Sequence, residues 1–463
     1  MTTPQIKLLL EGSVINLLWK LATPNMAAVF FITFSTMADA FFVGKIGTVA
    51  LASLAIVFPL QTLMIMQSGG AMGGGITSSI SRALGRNALS EVNTLVWHSI
   101  IISGFMCAIY TLVFGLLSNY IITIFSSDPD VVRGAVLYSR VFFGVSIAIW
   151  SFYVCSAVLR AFGRTDAFAI ATISSVIIQV ILSGILTVGL GSFSGFGVVG
   201  PAISAVVCHL TATSYMMYII FTQTSIRIQP QSIKLAPMVD ILKVGALSLI
   251  NSLSIAITVL IVTRLISEYG TAAIAGYGLG NRLELILIPL SFGVGGVLNA
   301  AVGINFGAKQ YARARKIAWS GASIVFLFIM VLGITISIFP SLWLNLFTAD
   351  SEAYKYGALY LSIAAPFFCL FGGGQTLFFA SQGTGKMILP VTVGVLRMLI
   401  VLFVGILVVT LSDYSIVISI FNANFGISSL GINTIFAGIV LGFVVVGVGL
   451  GLNMFTRNWD PRD

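Results

Sequence analysis

Charged side chains are scarce in this sequence. Only 8% of its 463 residues are Asp, Glu, Lys or Arg, whereas a soluble globular protein carries roughly 25%. So few charges cannot cover a water-facing surface, which excludes a soluble enzyme, a nucleic-acid-binding protein and a disordered scaffold. With 58% hydrophobic residues, the composition fits an all-α polytopic membrane protein.

Cysteine and histidine are also rare, with four and two residues. The cysteines lie inside apolar runs without the spacing of a metal site or a disulfide framework, so we expect small apolar packing residues. No Ser-His-Asp, His-Glu-x-x-His or paired-aspartate pattern occurs in the sequence, so we expect neither an enzyme nor a metal site. The N-terminal segment lacks the pattern of a cleaved signal peptide, so the first span should be retained.

Twelve apolar runs predict twelve transmembrane helices, because crossing the apolar part of a bilayer takes roughly 20 residues of helix. Short polar loops separate the runs. They lie at approximately 14–41, 50–73, 94–118, 135–158, 167–190, 198–222, 241–266, 272–300, 316–340, 355–380, 388–411 and 432–455.

The basic residues are distributed unevenly between the two sides of the predicted membrane. About 16 of the 23 lie in the N-terminal segment, the even-numbered loops and the C-terminal segment, and about five lie on the other side. Positive charge collects on cytoplasmic loops. We therefore expect a multi-pass protein of the cell (inner or plasma) membrane with both termini in the cytoplasm.

The chain contains an internal repeat. A shift of 223 residues superimposes Gly47 on Gly270, and a shift of 222 superimposes the pairs Gly73/Gly295, Gly85/Gly307, Trp97/Trp319, Asp128/Asp350, Tyr138/Tyr360 and Gly163/Gly385. This predicts two parallel six-helix lobes related by a pseudo-twofold axis along the membrane normal, which is typical of transporters. We expect the lobes at 1–222 and 241–463, with a cytoplasmic linker at 223–240.

Ionisable residues within membrane spans are costly and therefore candidates for function. Asp39 is the acid of the first span. It is either a protonatable or cation-binding carboxylate facing the lobe interior, or an acid near the outer interface that reaches water. Pro24 removes a backbone hydrogen bond in the same span, so we expect a helix kink near Asn25.

Further polar residues lie in the second half. Glu284 and Arg282 are too close in sequence to face each other on one helix, whereas Arg397 in the eleventh span is a possible partner for Glu284 across helices. These residues form either a structural ion pair or contacts to a substrate. The second-lobe candidates for the substrate cavity are Tyr277, Asn281, Arg282, Glu284, Gln375 and Arg397.

Several motifs resemble those of the MATE (multidrug and toxic-compound extrusion) transporters. The first-helix stretch from Pro24 to Asp39, followed by AFFVGKIGTVALA, is similar to the family's first-helix signature. SRALGR (81–86) and LRAFGRT (159–165) resemble its loop motifs. AGYGLGNRLE (275–284) and VGINFGA (302–308) resemble motifs of its second half.

The resemblance implies a cation-coupled antiporter that exports cationic and amphiphilic organic compounds by alternating access. Asp39 and Pro24 match the family's first-helix residues, but its fifth-helix Asn-x-x-x-Asp pair reads Gln179 and Ser183 here. The seventh-helix glutamate and tenth-helix aspartate of another branch are also missing. Because a lone carboxylate can carry one proton, whereas sodium favours several oxygens and more charge, we expect proton coupling at Asp39, Gln179 and Ser183.

Two alternatives remain open at this stage. A lipid-linked precursor flippase of the same superfamily would need a strongly basic central cavity for a pyrophosphate. A non-transporting membrane receptor or assembly protein would not need the duplication. We expect no cofactor beyond the transported proton or Na⁺, small organic cationic or amphiphilic substrates, membrane lipid as surroundings, no nucleic acid, and a monomer.

The predicted orientation can be tested with cysteines introduced one at a time into a cysteine-free background. Arg313→Cys should be protected from an impermeant thiol reagent in intact cells, because its loop is expected inside. Asp130→Cys and Ser351→Cys should be labelled, and both serve as controls for each other. Labelling at position 313 together with protection at position 130 would invert the orientation.

Overall fold

The protein is described by a computed structural model that covers residues 4–412, 431–457 and 459–460. Within these ranges it is built from helices and contains no β-strand. Eleven of the described helices are long and apolar enough to cross a membrane, and a pair bent by 45° supplies a twelfth span. The predicted all-α membrane fold with twelve spans is confirmed.

The spans match the twelve predicted apolar runs in order, after a short helix at Pro4–Glu11. They are α1 Val14–Gly44, α2 Thr48–Gly85, α3 Leu89–Leu116, the bent α4 Pro129–Gly144 with Ile147–Ala161, α5 Thr165–Val188, α6 Gly197–Gln223, α7 Leu235–Tyr269, α8 Thr271–Gly307, α9 Tyr311–Ile338, α10 Ser351–Thr384, α11 Ile388–Val408 and α12 Ile432–Asn453.

Contacts divide the described residues into two compact units. The first unit holds those of Met1–Leu249, Gly296–Gln310 and Gln382–Gly385. The second holds those of Ile250–Gly295, Tyr311–Ser381 and Lys386–Asp463. The start of α7 and the ends of α8 and α10 therefore pack with helices of the first half, and the division into lobes at 223–240 stays a prediction.

The connection between the halves is shorter than the predicted linker, because α7 already begins at Leu235. It is fastened to the start of α3 by side-chain hydrogen bonds. The Trp97 indole N–H donates to the Gln231 carbonyl at 3.0 Å, and His98 Nε2 accepts from the backbone N–H of Lys234 at 2.8 Å.

The sequence repeat is also a repeat of local structure. Asp128 caps a helix start by accepting from the backbone N–H groups two and three residues further on, at 2.9 and 3.2 Å. Asp350, 222 residues later, accepts in the same pattern at 2.8 and 3.1 Å. Such a cap satisfies amides that the first helical turn leaves without partners. Gly163 and Gly385 likewise share positive φ values of 70° and 75°.

A π-helical stretch in α2 explains why the repeat shift is not constant. The shift falls from 223 at Gly47 to 222 at Gly73, so the first half has one extra residue between them. Met66–Met72 is π-helical, whereas α8 is α-helical throughout. A π turn contains one more residue than an α turn. Positions of α2 before this stretch therefore correspond to residues 223 further on.

The repeat-related glycines Gly85 and Gly307 form a close helix contact within the first unit. A Cβ atom at Gly85 would lie 2.0 Å from the carbonyl oxygen of Ile304. A Cβ atom at Gly307 would lie 2.1 Å from the carbonyl oxygen of Arg82. Small residues allow membrane helices to approach at backbone distance, and here the contact brings the ends of α2 and α8 together.

We expect Gly85→Ala to destabilise the protein by about 1–3 kcal/mol, because the new methyl group must push α8 away. The matched control is Gly104→Ala in α3, where a Cβ atom meets nothing within 4 Å. Thermal unfolding of both purified variants in detergent measures the difference. Equal melting temperatures for the two variants would contradict the close contact.

Candidate functional site

Asp39 of α1 is held by two side chains of α5. Ser183 Oγ donates a hydrogen bond to Asp39 Oδ1 at 2.6 Å, and Gln179 Nε2 donates to Oδ2 at 3.4 Å. All three side chains are buried. Gln179 and Ser183 lie on one face of α5 because they are four residues apart. The structure thus brings together the three residues assigned to cation coupling.

The surroundings of Asp39 are polar but uncharged. A hydroxyl group and an amide N–H point at the two carboxylate oxygens. Protonation would cancel the site's single formal charge. Among the described residues, no three His, Cys, Asp or Glu side chains are grouped so that they could hold a metal ion. The site is therefore a single buried carboxylate held between α1 and α5.

A small cavity of about 30 Å³ lies beside the Asp39 site in the first unit. Its walls come from α1, α4, α5 and α6, and Gln179 is one of the lining residues. Gln179 therefore contacts both the Asp39 carboxylate and the cavity. Apolar side chains such as Ile32 and Val176 and polar side chains such as Ser35 and Thr172 both line it. A cavity of this size has room for about two water molecules and is too small for an organic substrate.

Sequence reasoning missed the residues of the cavity wall other than Gln179, including an aromatic residue and a histidine. Phe152 and His209 both line it, and their rings meet edge to face with centroids 4.9 Å apart. His209 Nδ1 lies 2.7 Å from the Ala205 carbonyl oxygen, which fixes the ring. A histidine inside a predicted span was the available signal, but it does not distinguish a packed residue from a cavity residue.

Pro24 and Asn25 lie far from Asp39. Fourteen residues of helix separate Asn25 from Asp39, which is about 21 Å. Helix α1 is assigned without interruption through Pro24, and the expected kink stays a prediction. Asn25 is fully buried and its amide nitrogen approaches Gly296 of α8 in the first unit. These residues therefore belong to the packing of α1 and not to the carboxylate site.

A second buried polar cluster lies in the second unit. Tyr360 of α10 donates a hydrogen bond to Glu284 Oε2 of α8 at 2.9 Å. The rings of Tyr360 and Tyr277 meet edge to face with centroids 5.2 Å apart. Arg397 of α11 lies over the ring of Phe371, with 4.8 Å from its guanidinium carbon to the ring centroid.

Glu284 and Arg397 carry opposite formal charges, which attract each other across this cluster. Both are buried, with 5% and 3% of their surfaces exposed. Among the described residues they form no direct ion pair, so the attraction acts over a gap. Of the other candidates in the second half, Asn281 is buried one turn from Glu284, Arg282 is exposed, and Gln375 is buried further along α10.

Comparison with known proteins gives matches along most of the chain. A family model described as MatE matches residues 24–185 and 248–407, once in each half. The chain is 22% identical to the FAD transporter of Shewanella oneidensis, over 81% of this chain and 82% of that protein. It is 25% identical to the probable multidrug resistance protein NorM of Thermotoga maritima, over 75% of each.

The fold is similar to that of solved transporters. A MOP superfamily transporter from Pyrococcus furiosus superimposes with a TM-score of 0.85. The sequences are 21% identical, and the match covers 99% of this chain and 98% of that one. At this level of identity, the likeness shows the shared twelve-helix fold.

The attraction between Glu284 and Arg397 can be tested with a double-mutant cycle. Glu284→Gln or Arg397→Met alone should cost about 3–5 kcal/mol, because each leaves the other charge buried without compensation. The double variant should recover much of the loss. Thermal unfolding in detergent measures all four proteins, and strictly additive effects would show that the two residues do not interact.

Proposed function

Because the chain belongs to the MatE family, we propose that this multi-pass membrane transporter is a proton-coupled antiporter exporting cationic and amphiphilic organic compounds by alternating access. The family match confirms the resemblance seen in the sequence motifs, and members of the family are transporters and not enzymes. The observation that carries the coupling proposal is the buried Asp39 carboxylate, held by one hydroxyl and one amide.

The surroundings of Asp39 favour a proton over sodium as the coupling ion. Sodium bound at a carboxylate needs further oxygen ligands directed at the ion, and carbonyl oxygens commonly supply them in transporters. Here Ser183 and Gln179 direct hydrogen-bond donors at the carboxylate instead. A proton needs no such ligands, because it is held by the carboxylate alone.

Coupling requires a ligand that binds two states of the transporter with different affinity. An ionised Asp39 attracts a cationic substrate that enters the first unit, and a protonated Asp39 does not. Protonation from outside would therefore weaken substrate binding and favour release, and loss of the proton to the cytoplasm would restore the binding state. By linkage, bound substrate must weaken proton binding equally.

The charge of Asp39 supports the cationic part of the proposed substrate class, because a buried carboxylate in the first unit attracts a positive charge. The cavity beside it, at about 30 Å³, does not hold an organic molecule in this conformation, so the proposed mechanism requires a more open substrate-binding state. The FAD transporter of Shewanella oneidensis is a relative whose named cargo is anionic. A transport assay must therefore compare an organic cation with FAD as cargo.

The remaining assignments follow the charge distribution of the sequence. We propose that both termini lie in the cytoplasm and that the protein works as a monomer in the cell membrane, surrounded by lipid. We propose that transport requires the coupling ion and the small-molecule substrate, and no further cofactor.

The decisive experiment is efflux from proteoliposomes under an imposed proton gradient or an imposed sodium gradient, applied separately. The proton gradient should drive export of an organic cation such as ethidium, and the sodium gradient should not. Export of FAD in preference to the cation would replace the proposed substrate class. Export driven by sodium alone would replace the proposed coupling ion.

Asp39→Asn should abolish proton-driven efflux while the protein still folds and inserts, because the amide keeps the shape but cannot exchange the proton. Asp130→Asn, the same change at an exposed acid, is the matched control and should transport normally. Efflux in proteoliposomes and the melting temperature in detergent check both parts. Undiminished efflux by Asp39→Asn would exclude this carboxylate as the coupling site.

A further inference from the structure

Tyr138 and Tyr360 occupy corresponding positions in the two halves, but the side chains to which they are hydrogen-bonded differ in charge. In the first half, Gln61 Nε2 donates to the Tyr138 hydroxyl at 2.7 Å. In the second half, the Tyr360 hydroxyl donates to Glu284 at 2.9 Å. Tyr138 and Tyr360 are related by the shift of 222, and Gln61 and Glu284 by the shift of 223 that applies before the π-helical stretch. A neutral amide in one half therefore corresponds to a carboxylate in the other.

A second difference between the halves adds a positive charge that balances the negative charge of Glu284. Arg397 corresponds to Ser175 at the shift of 222, and Ser175 lines the open cavity of the first unit. The second half thus gains one negative and one positive side chain relative to the first. The arginine is accommodated closely, since a Cβ atom at Gly442 of α12 would lie 3.0 Å from its Cγ.

The second half lacks a counterpart of the Asp39 site. At the same shifts, Asp39, Gln179 and Ser183 correspond to Val262, Val401 and Gly405. Val262 and Val401 are buried. Among the described residues, Glu284 is the one buried acid of the second unit. Its position in the repeat differs from that of Asp39.

The side chains around Glu284 provide oxygen atoms that are potential ligands for a cation. The carboxylate is joined by the Tyr360 hydroxyl. Asn281, one turn away on the same face of α8, is buried, and its Oδ1 has no hydrogen-bond partner among the described residues. Carboxylate, amide and hydroxyl oxygens are ligands of hard metal cations.

The positive charge of this cluster is instead supplied by Arg397. Phe371 beneath its guanidinium packs on Phe443, Phe443 packs on Phe368, and Phe368 packs on Tyr360.

We propose that Arg397 determines the ion specificity of this transporter, acting as a tethered cation that compensates Glu284 and excludes sodium from the second unit. The guanidinium is covalently attached and rests on Phe371, so its effective concentration at the cluster is always high. Its exclusion of sodium would leave Asp39 as the site of coupling. This last role rests on the proposed function, whereas the exclusion itself does not.

The test measures sodium binding to the purified full-length protein, without transport. Thermal unfolding and ²²Na⁺ binding are compared in sodium chloride and in choline chloride at equal ionic strength and at slightly alkaline pH. The proteins are wild type, Arg397→Met, Arg397→Lys and the double variant Glu284→Gln with Arg397→Met. Arg397→Lys keeps a tethered cation, and the double variant removes the carboxylate that sodium would need.

Arg397→Met should gain saturable binding of about one Na⁺ per protein, and sodium but not choline should raise its melting temperature. Wild type, Arg397→Lys and the double variant should show neither effect. If Arg397→Met folds only when sodium is present, sodium replaces the guanidinium and the proposal is supported.

Three results would overturn the proposal. Arg397→Met could fold equally in both salts without binding sodium, or fail to fold in either salt while the double variant folds. It could also be stabilised by acid and not by sodium, which would mean that Glu284 takes up a proton when the arginine is lost. Each result leaves the role of Asp39 intact, because none involves proton-driven efflux.

Discussion

A carboxylate buried in a membrane protein must be compensated by hydrogen-bond donors or by a positive charge, since removing it from water costs several kcal/mol. Among the described residues, each compact unit contains one such group, and the two units compensate it differently. Asp39 is held by the neutral side chains of Ser183 and Gln179. Glu284 is held by Tyr360 and attracted by Arg397. Neutral donors leave the negative charge of Asp39 uncancelled, so a mobile cation can bind there. The fixed guanidinium of Arg397 already compensates the charge of Glu284, which leaves no net charge for a mobile cation.

This difference arises on a common framework. Helix caps at Asp128 and Asp350, left-handed turns at Gly163 and Gly385, and a buried tyrosine in the fourth and tenth spans recur with one spacing. Duplication supplies two equivalent helix sets, and substitutions at a few buried positions then give them different electrostatics. The Glu284 and Arg397 charges belong together in this view, because either alone would be an uncompensated buried ion.

The position of the first-unit cavity follows from the packing of α1 against α5. A single α5 face presents Gln179 to the carboxylate and to the cavity. One amide side chain therefore links the Asp39 carboxylate to the cavity wall. In the proposed proton coupling, a change of charge at Asp39 would reach the cavity through this contact, within one compact unit.

The sequence by itself determined the membrane class, the twelve spans and the repeat, because each depends on composition or spacing that persists over many residues. It also identified Asp39 and Glu284, because a charge inside an apolar run stands out without any structure. Only the tertiary structure decided that Asp39 meets Ser183 and Gln179, that His209 faces a cavity, and that Arg282 is exposed while Arg397 is buried. These facts depend on helix rotation and on contacts between distant segments. A uniformly apolar helix leaves its rotation unmarked in the sequence, since the face toward lipid and the face toward protein have the same composition.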